Sequence, residues 1–384
     1  MTYFIKQRVF HCSLLLLLTS LVMACDNAKQ QPQTSSNSSV SMGKLLGSDD
    51  NNQLYHQVLP TTVLTFPDDH QAHNGFRIEW WYITANLTTD AGEQVGIQWT
   101  QFRSALSAPD NQPSSTSDSK WATNQLYMAH VALTSKNKHY KAEKFARAHP
   151  EFAGVSANPF AVYLDNWQWQ TSQASPFPAT LTVTDALFGY QLSLDSQHPW
   201  QLQGEQGFSI KSRDGQVASH YYSQPYIDVN GTITREGKTE NVTGKAWLDR
   251  EWSSQLLTKS QQGWDWFSIR LDTNTTLMIF RLRGQTETDN FYSARVMLSD
   301  GTGRNFTSGS HPNEISMKPV SWHKIKDKSY PVSWQIDIPS EQIHITTDAL
   351  NPNSEMPLST PYWEGPIDFK GSHEGMGYME LTGY

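Results

Sequence analysis

From Leu54 onward the chain alternates apolar and polar side chains with a period of two, in short stretches dense in β-branched and aromatic residues. Successive side chains of an extended chain point to opposite faces, so this pattern suits strands with one buried face and suits helices poorly. Residues 77–87, 95–102, 126–133, 160–168, 246–252, 264–271, 276–283 and 333–339 carry it most clearly. Asn230-Gly231 and Asp300-Gly301 add turn dipeptides, and no long amphipathic helix stands out. The pattern predicts an all-β chain of antiparallel barrels or sandwiches. At 384 residues it is long for one domain, so two are expected. Arg77-Ile78-Glu79-Trp80-Trp81 is echoed by Arg250-Glu251-Trp252, which suggests two related halves. Residues 54–237 and 238–384 are the expected domains, divided where Gly, Lys, Glu and Asn cluster at 236–241.

The first 24 residues read as an export signal: Lys6 and Arg8, an apolar run from Val9 to Val22, then small Ala24 before Cys25. Val22-Met23-Ala24-Cys25 resembles a bacterial lipobox, whose Cys is acylated and becomes the new N-terminus; the alternative is an ordinary signal peptide containing a Cys. The only other cysteine, Cys12, would leave with the leader, so no disulfide is expected. Residues 25–53, rich in Gln, Ser and Asn, read as a lipidated N-terminus and a disordered tether spanning about 30 Å. The expected location is periplasmic, lipid-anchored to the cell envelope, with Asp26 favouring the inner membrane and the outer one still open. The formal net charge is −8, and loss of Lys6 and Arg8 takes the exported chain to −10. Such a surface lacks the basic patch that broad nucleic-acid binding requires.

There is no G-x-S-x-G elbow, no H-E-x-x-H, no phosphate loop and no dinucleotide fingerprint. What remains are acids, histidines and aromatics within strand patterns. As a strand, 244–252 puts Trp247, Asp249 and Glu251 on one face, the two acids roughly 6.6 Å apart along the backbone. Acids that close, partly desolvated beside indoles, raise each other's proton affinity, and one could act as a general acid. The plainer alternative is a structural pair neutralised by Arg250 or another cation. Arg77, Glu79, Trp81, Ile83 and Leu87 share a second face, on which Glu79 closes a barrel end against arginine or joins His70 or His130 in a ligand cavity. His70, His73 and Glu79 match no standard zinc spacing, so no metal is expected. Asp265, on a face with Phe267 and Ile269, requires a partner such as arginine. The count of 14 Trp fits apolar pockets or stacking surfaces as well as packing.

Several segments in order carry a family resemblance: Phe66-Pro67 with Asp69-His70 and His73; Arg77 with Glu79-Trp80-Trp81-Tyr82; Tyr221-Tyr222-Ser223; Trp247 with Asp249-Arg250-Glu251-Trp252-Ser253-Ser254. Gly263-Trp264-Asp265-Trp266, Tyr362-Trp363-Glu364-Gly365, Gly377-Tyr378 and the terminal Thr382-Gly383-Tyr384 complete it. Together they resemble the CrtC/AttH group, the carotenoid 1,2-hydratase-like or secreted-hydrolase proteins. The resemblance implies two lipocalin-like antiparallel β-barrels in tandem, with an apolar ligand held in or between them. The carotenoid hydratases of that group add water across a terminal isoprenoid double bond without a cofactor, so none is expected here. By the same resemblance Asp249 matches the hydratases' acid, flanked by Trp247 and Trp252, with Glu251 holding its proton affinity up or orienting water and Tyr221 and His130 in support. His70, Glu79, Trp81, His130, Trp252, Trp264 and Trp266 are the candidate ligand-lining residues. A lipid-anchored enzyme acting on an isoprenoid or lipid-like substrate is one reading. The other is a non-catalytic carrier of a hydrophobic ligand, in which the acids merely hold the barrels together. An exported location departs from intracellular pigment synthesis.

Overall fold

The computed structural model describes residues 52–109 and 119–384; the expected leader, the expected acylation site Cys25, Asp26 and nearly all of the expected tether lie outside them. Two antiparallel sheets organise the described chain. In the first, β1 (Ile78–Thr89), β2 (Gln94–Ala105), β3 (Gln125–Ser135) and β4 (Lys138–Arg147) form a meander. It is followed by β5 (Ala153–Ala157), β6 (Phe160–Leu164), β7 (Trp167–Gln170), β8 (Ala179–Thr184) and β9 (Phe188–Asp195). Two short strands, β10 (Gln201–Leu202) and β11 (Phe208–Ile210), pair with β12 (Ala218–Arg235), and β13 (Lys238–Ser253) lies between β12 and β1. The sheet curls until β6 reaches β2, where the Gln101 side-chain amide donates to the Tyr163 carbonyl at 3.1 Å.

The second sheet begins with β14 (Gly263–Arg270), β15 (Thr275–Arg283), β16 (Phe291–Leu298), β17 (Gly303–Thr307) and β18 (Ser316–Ile325). Then come β19 (Lys328–Ile338), β20 (Ile343–Ala349), β21 (Glu355–Met356), β22 (Tyr362–Gly371) and β23 (Gly375–Thr382), with β23 beside β14. The expected all-β pair of lipocalin-like barrels is thus present as one nearly closed barrel and one half-barrel.

Period-two patterning fills the first barrel with Trp81, Ile83 and Leu87 of β1, Ile97 and Trp99 of β2, and Ala246 and Leu248 of β13. On β9 the opposite face is exposed after its first turn, whereas β1, β2, β3 and the second half of β13 are buried on both faces. The second sheet covers that outer face. Backbones approach closely there: a Cβ on Gly96 of β2 would stand 2.7 Å from the Pro366 ring of β22.

Three local expectations are corrected. Asn230-Gly231 makes no turn but lies within β12, bonded to β9 on one side and β13 on the other; pairing on both flanks overrides a two-residue turn preference. The turn falls at Glu236-Gly237, both with positive φ, and Asp300-Gly301 does turn between β16 and β17. That turn at 236–237 joins two strands of one sheet, so the passage to the second sheet comes after Ser253 rather than at 237/238. The echo of Arg77–Trp81 in Arg250–Trp252 therefore relates adjacent strands of one barrel, with Trp81 opposite Arg250, and not two halves.

Candidate functional site

The outer faces of β12, β13, β1 and β2 align two rows of side chains. Tyr221, Glu251, Trp80 and Phe102 stand in one; Ser223, Asp249, Tyr82 and Thr100 stand in the other. Facing them, the second sheet aligns Phe280, Trp266, Glu380 and Glu364 across β15, β14, β23 and β22. Between them lies a partly open cavity of about 80 Å³, with Trp264, Leu256, Leu282, Tyr362 and Lys211 completing its walls. The candidate cavity therefore lies at the seam between barrel and half-barrel.

Asp249 is fully buried and has no basic partner. Ser223 Oγ donates to its Oδ1, Trp247 Nε1 does so at 2.9 Å, and Tyr221 adds a third hydrogen bond. Burial pushes its pKa up to about 7 against these hydrogen bonds, with the Glu251 charge adding to the rise. Glu251 is different: Lys211 Nζ sits 2.8 Å from its Oε1, and Ser219 Oγ donates to the same oxygen. The Lys211 ammonium also lies 4.5 Å from the centre of the Phe280 ring and 4.9 Å from that of Tyr221.

Two acids on the opposite wall were not singled out as candidates from the sequence. Glu364 and Glu380 are direct cross-strand partners, both buried. Tyr82 Oη donates to Glu364 Oε1 at 2.5 Å and the Tyr362 hydroxyl also interacts with the carboxyl, while Oε2 makes no well-formed hydrogen bond. Burial and then the Glu380 charge hold the Glu364 carboxyl well above the carboxylate range. Trp264 Nε1 donates to Glu380 Oε1 at 3.2 Å, yet burial, with the Asp249 and Glu251 charges, lifts Glu380 to about 8. The signal available was the one that singled out Asp265: an acid inside an apolar strand, Tyr378-Met379-Glu380-Leu381.

The structure thus brings Asp249, Glu251, Tyr221, Trp264 and Trp266 together, with Trp247 behind Asp249. His130 stands one layer back, its Nδ1 3.0 Å from Tyr362 Oη and its Nε2 3.1 Å from Glu143. Four other candidates lie elsewhere. Glu79 is held by Arg103 at 2.8 Å, Arg250 at 2.7 Å and His73 at 2.6 Å, at an end of the first barrel. Burial would raise its pKa, but Arg250, His73 and Arg103 hold it well below the usual carboxylate range. Trp81 and Trp252 pack on Arg250, and the Trp252 ring stacks on His73 at 3.9 Å. His70 stacks on Phe66 and lies 2.6 Å from Tyr222 Oη, and burial lowers its imidazole to about 3. Asp265 meets Arg281 at 2.7 Å and Arg283 at 3.1 Å, the partners its burial demands.

A sequence profile described as AttH-like matches residues 57–384. The crystal structure of an AttH-type protein from Nitrosomonas europaea is 34% identical, with a TM-score of 0.74 over 86% of this chain and 99% of that one. Kievitone hydratase from Nectria haematococca shares the fold at 13% identity, with a TM-score of 0.63 over 83% of this chain and 93% of its own. No protein of curated function matches the sequence.

Proposed function

The chain belongs to the AttH-like family, and from that premise we propose that it is an envelope enzyme adding water to, or removing it from, an apolar molecule in the seam cavity. The observation that carries this reading is Asp249, a buried carboxyl with no basic partner whose burial lifts its pKa to about 7 at an aromatic wall. A carboxyl so placed holds a proton near neutral pH and can give it to an alkene carbon. The π pair forms the new C–H bond, the positive centre falls on the other carbon, and aromatic faces stabilise it. Water then forms the C–O bond and releases its proton to the carboxylate that Asp249 has become, which restores the start; the reverse sequence is dehydration. Tyr221 orients Asp249 through a hydrogen bond, the Glu251 charge holds its proton affinity up, and no step calls for a cofactor.

The substrate class that fits is isoprenoid or lipid-like, and acylated Cys25 would hold the protein at the envelope; Cys25→Ser should then leave the membrane fraction. The main test is native mass spectrometry for a co-purified apolar ligand, followed by turnover of that ligand by wild type and Asp249→Asn. Loss of turnover supports the acid, and equal turnover overturns it. Tight retention of an unchanged ligand by both proteins would favour the carrier, in which the Lys211–Glu251 pair serves only to hold the β11–β12 connection against β13.

A further inference from the structure

Resting on the seam cavity as the site just described, we propose that it binds an apolar organic monocation: a tertiary or quaternary ammonium, or the carbocation that such a centre imitates. The inventory of charge is one-sided. Asp249 and Glu251 come from β13, Glu364 from β22 and Glu380 from β23. Lys211 is the only basic residue among the described lining residues, and Glu251 already holds it. Three carboxyls are left facing an apolar space with no cation.

A second observation points to a ligand. Glu364 Oε2 is buried without a well-formed hydrogen bond, although the Tyr362 hydroxyl interacts with the carboxyl, and its residue lines the cavity. Native interiors rarely leave such an atom unmet. Its cross-strand partner is another acid, Glu380, a placement that is unfavourable when both are ionised. A positive centre between them would meet the buried lone pairs by charge rather than by a hydrogen bond, and would offset the repulsion between the two carboxylates. The remaining walls are the π faces of Trp80, Trp264, Trp266, Phe102 and Phe280, which favour a cation whose own hydration is weak. Among the described residues no three acids, histidines or cysteines are placed to hold a metal ion. An alkylated ammonium or a tertiary carbocation meets all these conditions, since its charge is spread and its body is apolar.

Charge balance gives the binding a signature. In the empty cavity desolvation keeps protons on Asp249, Glu364 and Glu380. An entering monocation favours the ionised form of a neighbour, so a proton should leave as the cation arrives. The other titratable groups packed against these acids do not supply it. Tyr82 from β1, Tyr221 from β12, Tyr362 from β22 and Tyr378 from β23 are all raised by burial and stay protonated. Behind them, burial lowers His130. Lys211 stays with Glu251.

Calorimetry on the full chain with benzyltrimethylammonium and its uncharged isostere neopentylbenzene tests the idea. The cation should bind at least about tenfold more tightly. Titrations in two buffers of different ionisation enthalpy should show release of close to one proton per cation. Glu364→Gln and Glu380→Gln should each weaken the cation about tenfold and leave neopentylbenzene unchanged; thermal melts at or above wild type would show that both variants fold. Equal affinity for the two probes, or a cation bound without proton release, overturns the inference while leaving an apolar seam cavity intact. Failure of both probes to bind overturns it together with the cavity reading. A co-purified amine would identify a resident cation, and a neutral alkene a transient one.

Discussion

Two groups of buried carboxyls in this chain have opposite surroundings. At an end of the first barrel, Glu79 is met by two guanidiniums and an imidazole, all within hydrogen-bonding distance. At the seam, Asp249, Glu364 and Glu380 are equally buried and meet only hydroxyls, indoles and each other. The first arrangement repays desolvation with opposite charge and holds Glu79 ionised. The second leaves desolvation unopposed, so the acids keep their protons. Burial alone does not single out a candidate acid; burial without a counter-charge, beside an open cavity, does.

Breaking the first cluster should have the largest effect. Arg250→Met would strand Glu79 in the barrel with one guanidinium fewer, and removing one partner of a buried pair costs about 3–5 kcal/mol. Urea unfolding checks it; a loss below about 1 kcal/mol would mean that Arg103 and His73 alone satisfy Glu79. The matching change at the seam should act on chemistry instead. Asp249→Asn keeps the shape and removes an acid that has no ion pair to lose. It should fold with unchanged or higher stability and lose about 100-fold or more in turnover of the co-purified ligand. A destabilised variant with full turnover would reverse the roles assigned to the two clusters.

Most of the fold and half of the candidate site were legible in the sequence, for a common reason. Alternation placed Trp81 with Ile83 and Leu87 in the barrel, and Trp247, Asp249 and Glu251 together on the opposite face, because strand periodicity is a local property. It could not show that this second face is the barrel's outer wall, covered by another sheet. Pairing of Glu364 with Glu380 depends on register, and their approach to Asp249 depends on how two sheets pack; both are non-local. Lys211 lies outside the strands, so no period marks it. Glu79 and Asp249 looked alike for the same reason. What separates them is Arg103, which lies far along the chain from Glu79 but directly opposite it in the sheet.

The two clusters should also answer pH with opposite slopes. The folded-state pKa of Asp249 is raised to about 7 and that of Glu380 to about 8. Their contribution to stability is therefore complete below the unfolded values near 4 and is lost as pH rises toward 7–8, by at most about 1.4 kcal/mol per pH unit for each group. Glu79 is lowered, so its contribution is complete above about 4.5 and is lost only in acid. Stability of wild type minus Asp249→Asn, measured from pH 5 to 8, should fall with pH. The same difference against Glu79→Gln should stay flat over that range. Using differences removes the buried histidines, such as His70, that also titrate on unfolding.

The smallest expected effect isolates one hydrogen bond at the seam. Ser223 Oγ donates to Asp249 Oδ1, and that bond favours the ionised carboxylate against burial. Ser223→Ala removes it without changing the charge or the aromatic walls. A single buried hydrogen bond to a charged acceptor is worth on the order of 1 kcal/mol, so the titration of Asp249 should move upward by up to about one pH unit. If Asp249 is the proton donor, the alkaline limb of the pH–rate profile moves with it, while the rate on the acid side changes little. A lower rate at every pH with the limb unmoved would mean that Ser223 acts on substrate placement instead. Because Glu79 has no bond to Ser223, the acid end of the stability curve should stay where it is, which separates the two clusters within a single variant.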